Sequence, residues 1–409
     1  MWGCCRAVSV VATSNPLTND AYTRYYAYDA AGRLTRYTDR MGRTTEYTYF
    51  ASGDAEGRIQ FEKWYAAGDD PDVDDPVRVI EYGYTYADGH LVGFTVDDSD
   101  VDFVYSYDAA GYLTSVAWDF AGLTVAPGLP DVTLAHQYAS GDLVGTQAAI
   151  GATADFRNEY AHDSFGRLTQ VTQTGAVVGN PVADKRADFA YTDAGQLKTI
   201  TRYADLGGAN LVATSTFTYD PSLGWLAGLV HTINNTNEDI VAYAYTHQPD
   251  GQIDTLALDR DVDDVQSSET YDFDYDQQGQ LTQVDYTGTG TGVDESYQYD
   301  SNGNRVGATV GSSSSVYTPG AYNRLESVDD GTTVRVFGYD PEGNLVLKFL
   351  DADERGSLTT GDTEVTEYVW DHRNRLVGVY SFDTFDDYDD YIPGTNDTRS
   401  QRSITLMTT

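Results

Sequence analysis

Two cysteines are all the chain has, and they are neighbours, Cys4 and Cys5. Adjacent thiols cannot staple distant segments and do not complete a four-thiolate zinc site, so stability has to come from packing and backbone pairing. Basic residues are also scarce: 25 Lys and Arg face 64 Asp and Glu, a formal net charge of −39. A surface this acidic repels phosphate backbones and anionic membranes, which argues against a nucleic-acid partner. No run approaches the ~20 apolar residues that a membrane-spanning helix needs. Residues 1–13 carry one Arg and only short apolar runs, so they do not read as an export signal. Proline is limited to 11 residues, several of them (Pro71, Pro76, Pro127, Pro130, Pro181) between the patterned segments, and no helical apolar stripe is sustained. Long, continuously paired strands fit those two absences. The hydrophobic fraction, 40% before the 39 glycines are added, is that of a folded chain.

What the sequence has in excess is tyrosine, 33 residues of it, and these recur within one phrase. Tyr26-Ala27-Tyr28-Asp29-Ala30-Ala31-Gly32-Arg33-Leu34 returns as Tyr105-Ser106-Tyr107-Asp108-Ala109-Ala110-Gly111-Tyr112-Leu113. Further copies start at Tyr160, Phe189, Phe273, Tyr297 (with Tyr299, Asp300 and Gly303), Phe337 (with Tyr339, Asp340 and Gly343) and Tyr368 (with Trp370 and Asn374). Looser copies sit at Tyr47, Tyr84, Gln137 to Leu143, Phe217 and Tyr243, and a degenerate one lies between Tyr317 and Val328. Anchored on the second aromatic at 28, 49, 86, 107, 138, 162, 191, 219, 245, 275, 299, about 319, 339 and 370, fourteen copies recur at about 26 residues on average. The tightest returns, such as 28 to 49, suggest a basic unit of about 21 residues with loop insertions elsewhere. A short period over nearly the whole chain marks a repeat architecture.

Tyr26 and Tyr28 are two apart, so in an extended strand both project from one face. Asp29 to Gly32 then supplies a turn: Asp at the first position bonds the backbone ahead of it, and Gly tolerates positive φ. That combination predicts a three-residue hairpin loop with a bulge, after which Arg33-Leu34-Thr35 opens the return strand. Asn374 stands where Gly is missing, and Asn is the other residue that enters the left-handed region readily. Each unit is therefore read as a β-hairpin, and successive hairpins stacked edge to edge bury a shared face. Acidic stretches such as Ala67 to Pro76, Asp97 to Asp102 and Asp259 to Glu269 read as loops at strand ends, Gly311 to Ser315 as a neutral linker, and Gly288 to Gly292 as a flexible loop.

The phrase Y-x-Y-D-x-x-G-R-L, repeated at about 21 residues over residues 21 to 380, closely resembles the RHS/YD repeat, with the fullest match from Tyr25 to Tyr49. The resemblance implies an all-β fold in which tandem hairpins wind into a spiralling sheet, as a hollow shell or a segment of one. It also implies a non-enzymatic, secreted or surface-exposed scaffold that encloses or presents a toxin domain or another partner, as bacterial RHS shells do, or that mediates adhesion, as teneurin shells do. Neighbouring repeats of a longer chain are a further implied partner. On this reading residues 1–20 form an irregular leader, 21–380 the repeat array of about fourteen units, and 381–409 an acidic, disordered tail too short for an effector domain. Asp340-Pro341-Glu342-Gly343 spells the Asp-Pro-x-Gly of the family's self-cleavage segment, but it falls in the register of an ordinary repeat.

Other constellations compete with this scaffold. Asp351 to Asp362 places Asp351, Asp353 and Asp362 at positions 1, 3 and 12, with Gly356 at 6, as an EF-hand-like calcium loop does, although Arg355 occupies a position where an oxygen ligand belongs. Calcium is thus the one cofactor candidate, and an adhesin binding calcium or carbohydrate is the alternative function; Tyr faces would stack on sugars. Six dispersed His, no His-x-x-x-His pair and no Gly-x-Ser-x-Gly elbow leave no catalytic constellation. A propeller hydrolase would need about 40 residues per blade, twice the spacing of the tightest copies.

Overall fold

The computed structural model describes residues 23–98, 101–120, 128–176, 182–233, 238–262 and 265–389. The expected leader and everything after residue 389 lie outside the described residues. Twenty-eight strands run in sequence from Tyr25–Tyr28 to Leu376–Thr384, and one α-helix, Phe385–Asp389, follows the last of them. The chain is all-β, built of tandem antiparallel hairpins.

The first hairpin shows why the phrase folds as it does. Tyr25–Tyr28 pairs with Leu34–Thr38, with Tyr28 opposite Leu34 and Ala27 opposite Arg36, so that Thr35 is passed over as a bulge. The Gly32 N–H donates to the Asp29 carbonyl (3.0 Å) and the Asp29 N–H to the Arg33 carbonyl (2.9 Å), which closes a three-residue loop. Gly32 takes φ +80°, and Asn374, in the equivalent place, takes +55°. The same slip occurs before Tyr107, His162, Tyr191, Tyr219, Tyr275, Tyr299, Tyr339 and Trp370. Two of the looser copies use a loop one residue shorter: Asp88-Gly89 and Ser140-Gly141 are left-handed pairs that turn the chain in two residues.

Several local readings change. The anchor taken at Tyr245 belongs at His247, where the slip lies and which faces Ile253; Tyr243, Tyr245 and His247 alternate on one face, so a two-residue error leaves the pattern looking intact. Asp259 to Glu269 is mostly not a loop, because Asp259 pairs with Ser268 and Arg260 with Ser267 inside a long hairpin. Ser313 to Ser315 is strand, opposite Thr309 and Val310, with the turn at Gly311. Gly288 to Gly292 is fitted rather than free: a Cβ on Gly290 would lie 1.7 Å from the Glu269 carboxylate. The last strand continues past the expected end of the array to Thr384, and the Phe385–Asp389 helix follows it.

The chain divides into two compact units. One comprises Met1–Tyr49, Phe61–Val79 and Asp294–Thr409, and so holds the first strands together with the last. Its core is Val336, Phe349, Val365 and Phe382, with Leu347, Tyr380 and the helix residue Tyr388 packed against it; the Phe382 and Tyr388 rings meet edge to face at 5.4 Å. The other unit, Phe50–Gln60 and Ile80–Val293, carries consecutive hairpins whose buried residues, among them Ile80, Val116, Ala148, Leu258 and Val284, are spread along its length. Most repeat tyrosines are half-buried. No helix of the described residues is long and apolar enough to cross a membrane.

Two glycines separate conformational strain from collision. Gly111, at φ +87° with open space around its missing Cβ, should tolerate Ala at a cost of about 1 kcal/mol. Gly290→Ala should cost clearly more, because the collision with Glu269 adds overpacking of about 1 to 3 kcal/mol. Denaturant melts of the two variants would check the ranking; equal losses would show that the loop over Glu269 yields freely.

Candidate functional site

The recurring Asp is consumed by its own turn. Asp29 Oδ1 accepts the N–H groups of Ala31 and Arg33, both at 2.9 Å, and Oδ2 accepts Arg33 Nε at 2.7 Å. Asp39 with Arg43, Asp163 with Arg167 and Asp371 with Arg375 repeat the arrangement. Asn304 and Asn344 replace the Arg opposite Asp300 and Asp340. Donors on all sides favour the charged form: the Arg33 N–H holds the Asp29 carboxyl below its ordinary range, and the Asn304 side chain does so for Asp300. These carboxylates act as acceptors within their own turns.

Further contacts close each hairpin and tie it to its neighbour. The second aromatic reaches back to the carbonyl that opens the preceding return strand: Tyr49 to Leu34, Tyr191 to Leu168, Tyr219 to Leu197, Tyr275 to Ile253, and the Trp370 indole to Leu345, at 2.5 to 2.9 Å. The Arg of one turn lies over the aromatic ring of the next repeat, Arg33 over Tyr49 and Arg167 over Tyr191, both at 4.5 Å. The bulged Thr closes the hairpin, with the hydroxyls of Thr114, Thr169 and Thr282 each donating at 3.1 Å to the carbonyl between the paired aromatics. A residue just after the turn Gly also reaches the following turn, as Gln196 to Gly224 (2.8 Å) and Arg324 to the Asp340 carbonyl (3.1 Å).

The same device joins the two ends of the array inside the first unit. Arg43 Nη1 donates to the carbonyls of Trp370 (3.1 Å) and Asp371 (3.0 Å), the position Arg324 takes on Asp340. Asn374 Oδ1 accepts from both Asn344 of the preceding repeat (3.0 Å) and Arg43 (3.3 Å). The two free positions of the last turns complete the junction. Glu342, whose side chain is fully buried, pairs with Arg24 and accepts the Arg40 N–H at 2.6 Å. Arg373 grips Glu62 through Nε (3.0 Å) and Nη2 (2.6 Å), and the Trp64 indole N–H donates to the same carboxylate (2.7 Å). His372 stacks on Trp64 at 5.0 Å and its Nε2 bonds the Tyr65 carbonyl at 2.8 Å. Glu62, Trp64, Glu342, His372 and Arg373 were not legible as a set, because each occupies a position the repeat leaves variable. The Asp340-Pro341-Glu342-Gly343 turn is held in this junction by Glu342.

The loop spacing does bring Asp351, Asp353 and Asp362 together: one oxygen from each lies within 4.8 Å of the others, and Asp351 and Asp362 are buried. Backbone N–H groups already serve them, Gly356 on Asp351 (2.7 Å), Ala352 and Thr359 on Asp362 (2.8 and 2.6 Å), while Arg355 turns onto Asp353 (3.3 Å). Burial alone would push the Asp351 carboxyl up; those N–H groups outweigh it and hold it below the ordinary range. Ser215 Oγ lies 2.8 Å from His231 Nδ1, a nucleophile-and-base pairing in outline, but Ser215 is 1% exposed and takes a bond from Arg202 on its oxygen.

Tyr191→Phe should cost about 1 kcal/mol, the worth of one neutral hydrogen bond, with no change in secondary structure; an unchanged denaturation midpoint would remove the tyrosine ladder from the list of stabilisers. At the junction, Arg373→Ala strands a largely buried Glu62 and should cost about 1.5 to 3 kcal/mol. Burial keeps His372 below its ordinary pKa of 6.5, so the neutral form is favoured by folding. That stabilisation is complete above pH 6.5 and drains away as the pH falls below it. Melting curves across this range should therefore drop more steeply for the wild type than for His372→Gln. For Glu342 burial pulls upward but Arg24 and the Arg40 N–H prevail and lower the carboxyl, so its contribution persists until the pH falls below the carboxylate range, about 4.5.

Comparison with known proteins agrees with this geometry. The Teneurin YD-shell family model matches residues 230–401 and the RHS Repeat model residues 28–49. No curated protein sequence matches the chain. Among solved structures, a Photorhabdus luminescens Tc holotoxin pore aligns over 90% of this chain and 19% of that one, at 15% identity with a TM-score of 0.61. A crystal structure of TcdB2-TccC3-TEV aligns over 90% of this chain and 21% of its own, at 13% identity and a TM-score of 0.47. The chain thus spans about a fifth of the length of these structures. With matching family models at both ends of the array and the Tyr, Asp, Gly and Arg of the repeated phrase each assigned a role, the chain carries RHS/YD repeats.

Proposed function

We propose that the chain is a non-enzymatic shell scaffold that encloses or presents a partner outside the producing cell, with a toxin domain carried by the same polypeptide as the favoured cargo. One observation carries this reading: the characteristic residues of the repeats are spent on holding turns to one another, including the first turns to the last. Such chemistry builds a wall. The extracellular setting is supported by the families matched, whose shells act in secretion and cell contact.

Protease treatment of the native polypeptide that contains this array provides the test. Enclosure predicts a protected segment from outside the array that becomes cleavable when Arg373→Ala loosens the junction. Digestion of everything but the array, in wild type and variant alike, would leave presentation or adhesion as the role.

Calcium is the second reading, favoured by the convergence of Asp351, Asp353 and Asp362. If the loop takes the ion, calcium added over a chelator raises the melting temperature of the wild type and leaves Asp353→Asn unmoved. Identical curves for the two proteins retire it.

A further inference from the structure

In the second unit, one sheet face carries a hollow that the repeat contacts do not use. Its rows are set by register: Asn158 faces Gln173, Gln173 faces Lys185, Val171 faces Ala187, and Ala187 faces Arg202. Ala187 and Ala204 are short where their surroundings are long, and the gap amounts to a cavity of about 470 Å³ with a mainly apolar lining. That volume is in the range of small-molecule sites, which are typically apolar with a few fixed polar groups.

In a chain of net charge −39, basic residues outnumber acidic ones in this lining: Lys185, Arg186 and Arg202 stand with the single carboxylate Asp184, and Lys185 and Arg202 share the face of Ala187. Arg186 is neutralised by Asp188, at 2.8 and 2.6 Å. Lys185 and Arg202 have no carboxylate partner among the described residues, whereas most arginines of the chain do. Arg202 is also aimed: its Nη1 donates to Ser215 Oγ at 2.8 Å, and Ser215 is buried and fixed in turn by His231. One edge of the guanidinium is thereby anchored, and its remaining N–H groups are left to receive an anion. Across the hollow, Asn158 Oδ1 is buried without a hydrogen-bond partner, an acceptor that lacks a donor.

We propose that this hollow is a binding site for a small carboxylic acid with an apolar body and a hydrogen-bond donor close to the carboxylate, the chemistry of an N-acyl amino acid. The carboxylate meets Arg202 with Lys185 beside it, the apolar body covers Ala187 and Val171, and the N–H answers Asn158 Oδ1. The site stands independently of the shell reading, since none of its residues belongs to the junction.

Titration with N-acetylphenylalanine, followed by saturation-transfer NMR and calorimetry, tests the assignment. Saturable binding to the wild type is expected, weakened at least about tenfold by Arg202→Gln and by amidating the probe's carboxylate, and abolished by Ala187→Leu, which fills the hollow and leaves every polar group in place. Melting curves of both variants establish that they are folded. No saturable binding to the wild type overturns the proposal, as does undiminished binding to folded Ala187→Leu. Inorganic phosphate binding as tightly as the probe would overturn the proposed ligand class.

Discussion

A carboxylate that accepts two backbone N–H groups from its own loop is the interaction on which this protein depends. Without it, an Asp-x-x-Gly turn would leave donors at residues i+2 and i+4 to water, and a single hairpin has little else to hold it. With Asp29 or Asp371 in place, the turn is rigid enough to present an Arg or Asn in a fixed direction, and that side chain finds the next repeat. Local rigidity is thus converted into long-range order one step at a time. The scarcity of fully buried side chains follows: a sheet held at its turn edge by polar contacts needs less deep core than one held by packing alone.

Much of this was visible in the sequence because repetition amplifies weak signals. One Tyr-Ala-Tyr-Asp would have meant little; many copies established hairpin, loop length and the left-handed position, including Asn374 in place of Gly. At Tyr245 the period of two hides the turn position. A strand repeats every two residues, so Tyr243, Tyr245 and His247 are equivalent by pattern, and only the reach of Tyr275 to Ile253 identifies which of them faces the turn. Acidic content misleads in the same manner at Asp259 to Glu269, a paired hairpin whose composition reads as a loop.

The junction was illegible for a different reason. Its partners are more than 300 residues apart, and each is drawn from a position that the phrase leaves open. Repetition carries information about neighbours, and no information about which turns meet across the chain. The acidic loop shows the intermediate case: spacing alone foretold that Asp351, Asp353 and Asp362 converge, while the backbone donors that already occupy them belong to the folded loop.

Arg43 settles on the Asp371 turn as Arg324 settles on the Asp340 turn, so inside the first unit the contact between neighbours also joins early turns to late ones. The tip residues at this meeting are matched one to one: Glu342 to Arg24, His372 to Trp64 and Arg373 to Glu62. The chemistry that holds the first turns to the last therefore lies at the tips, where substitution would otherwise be freest.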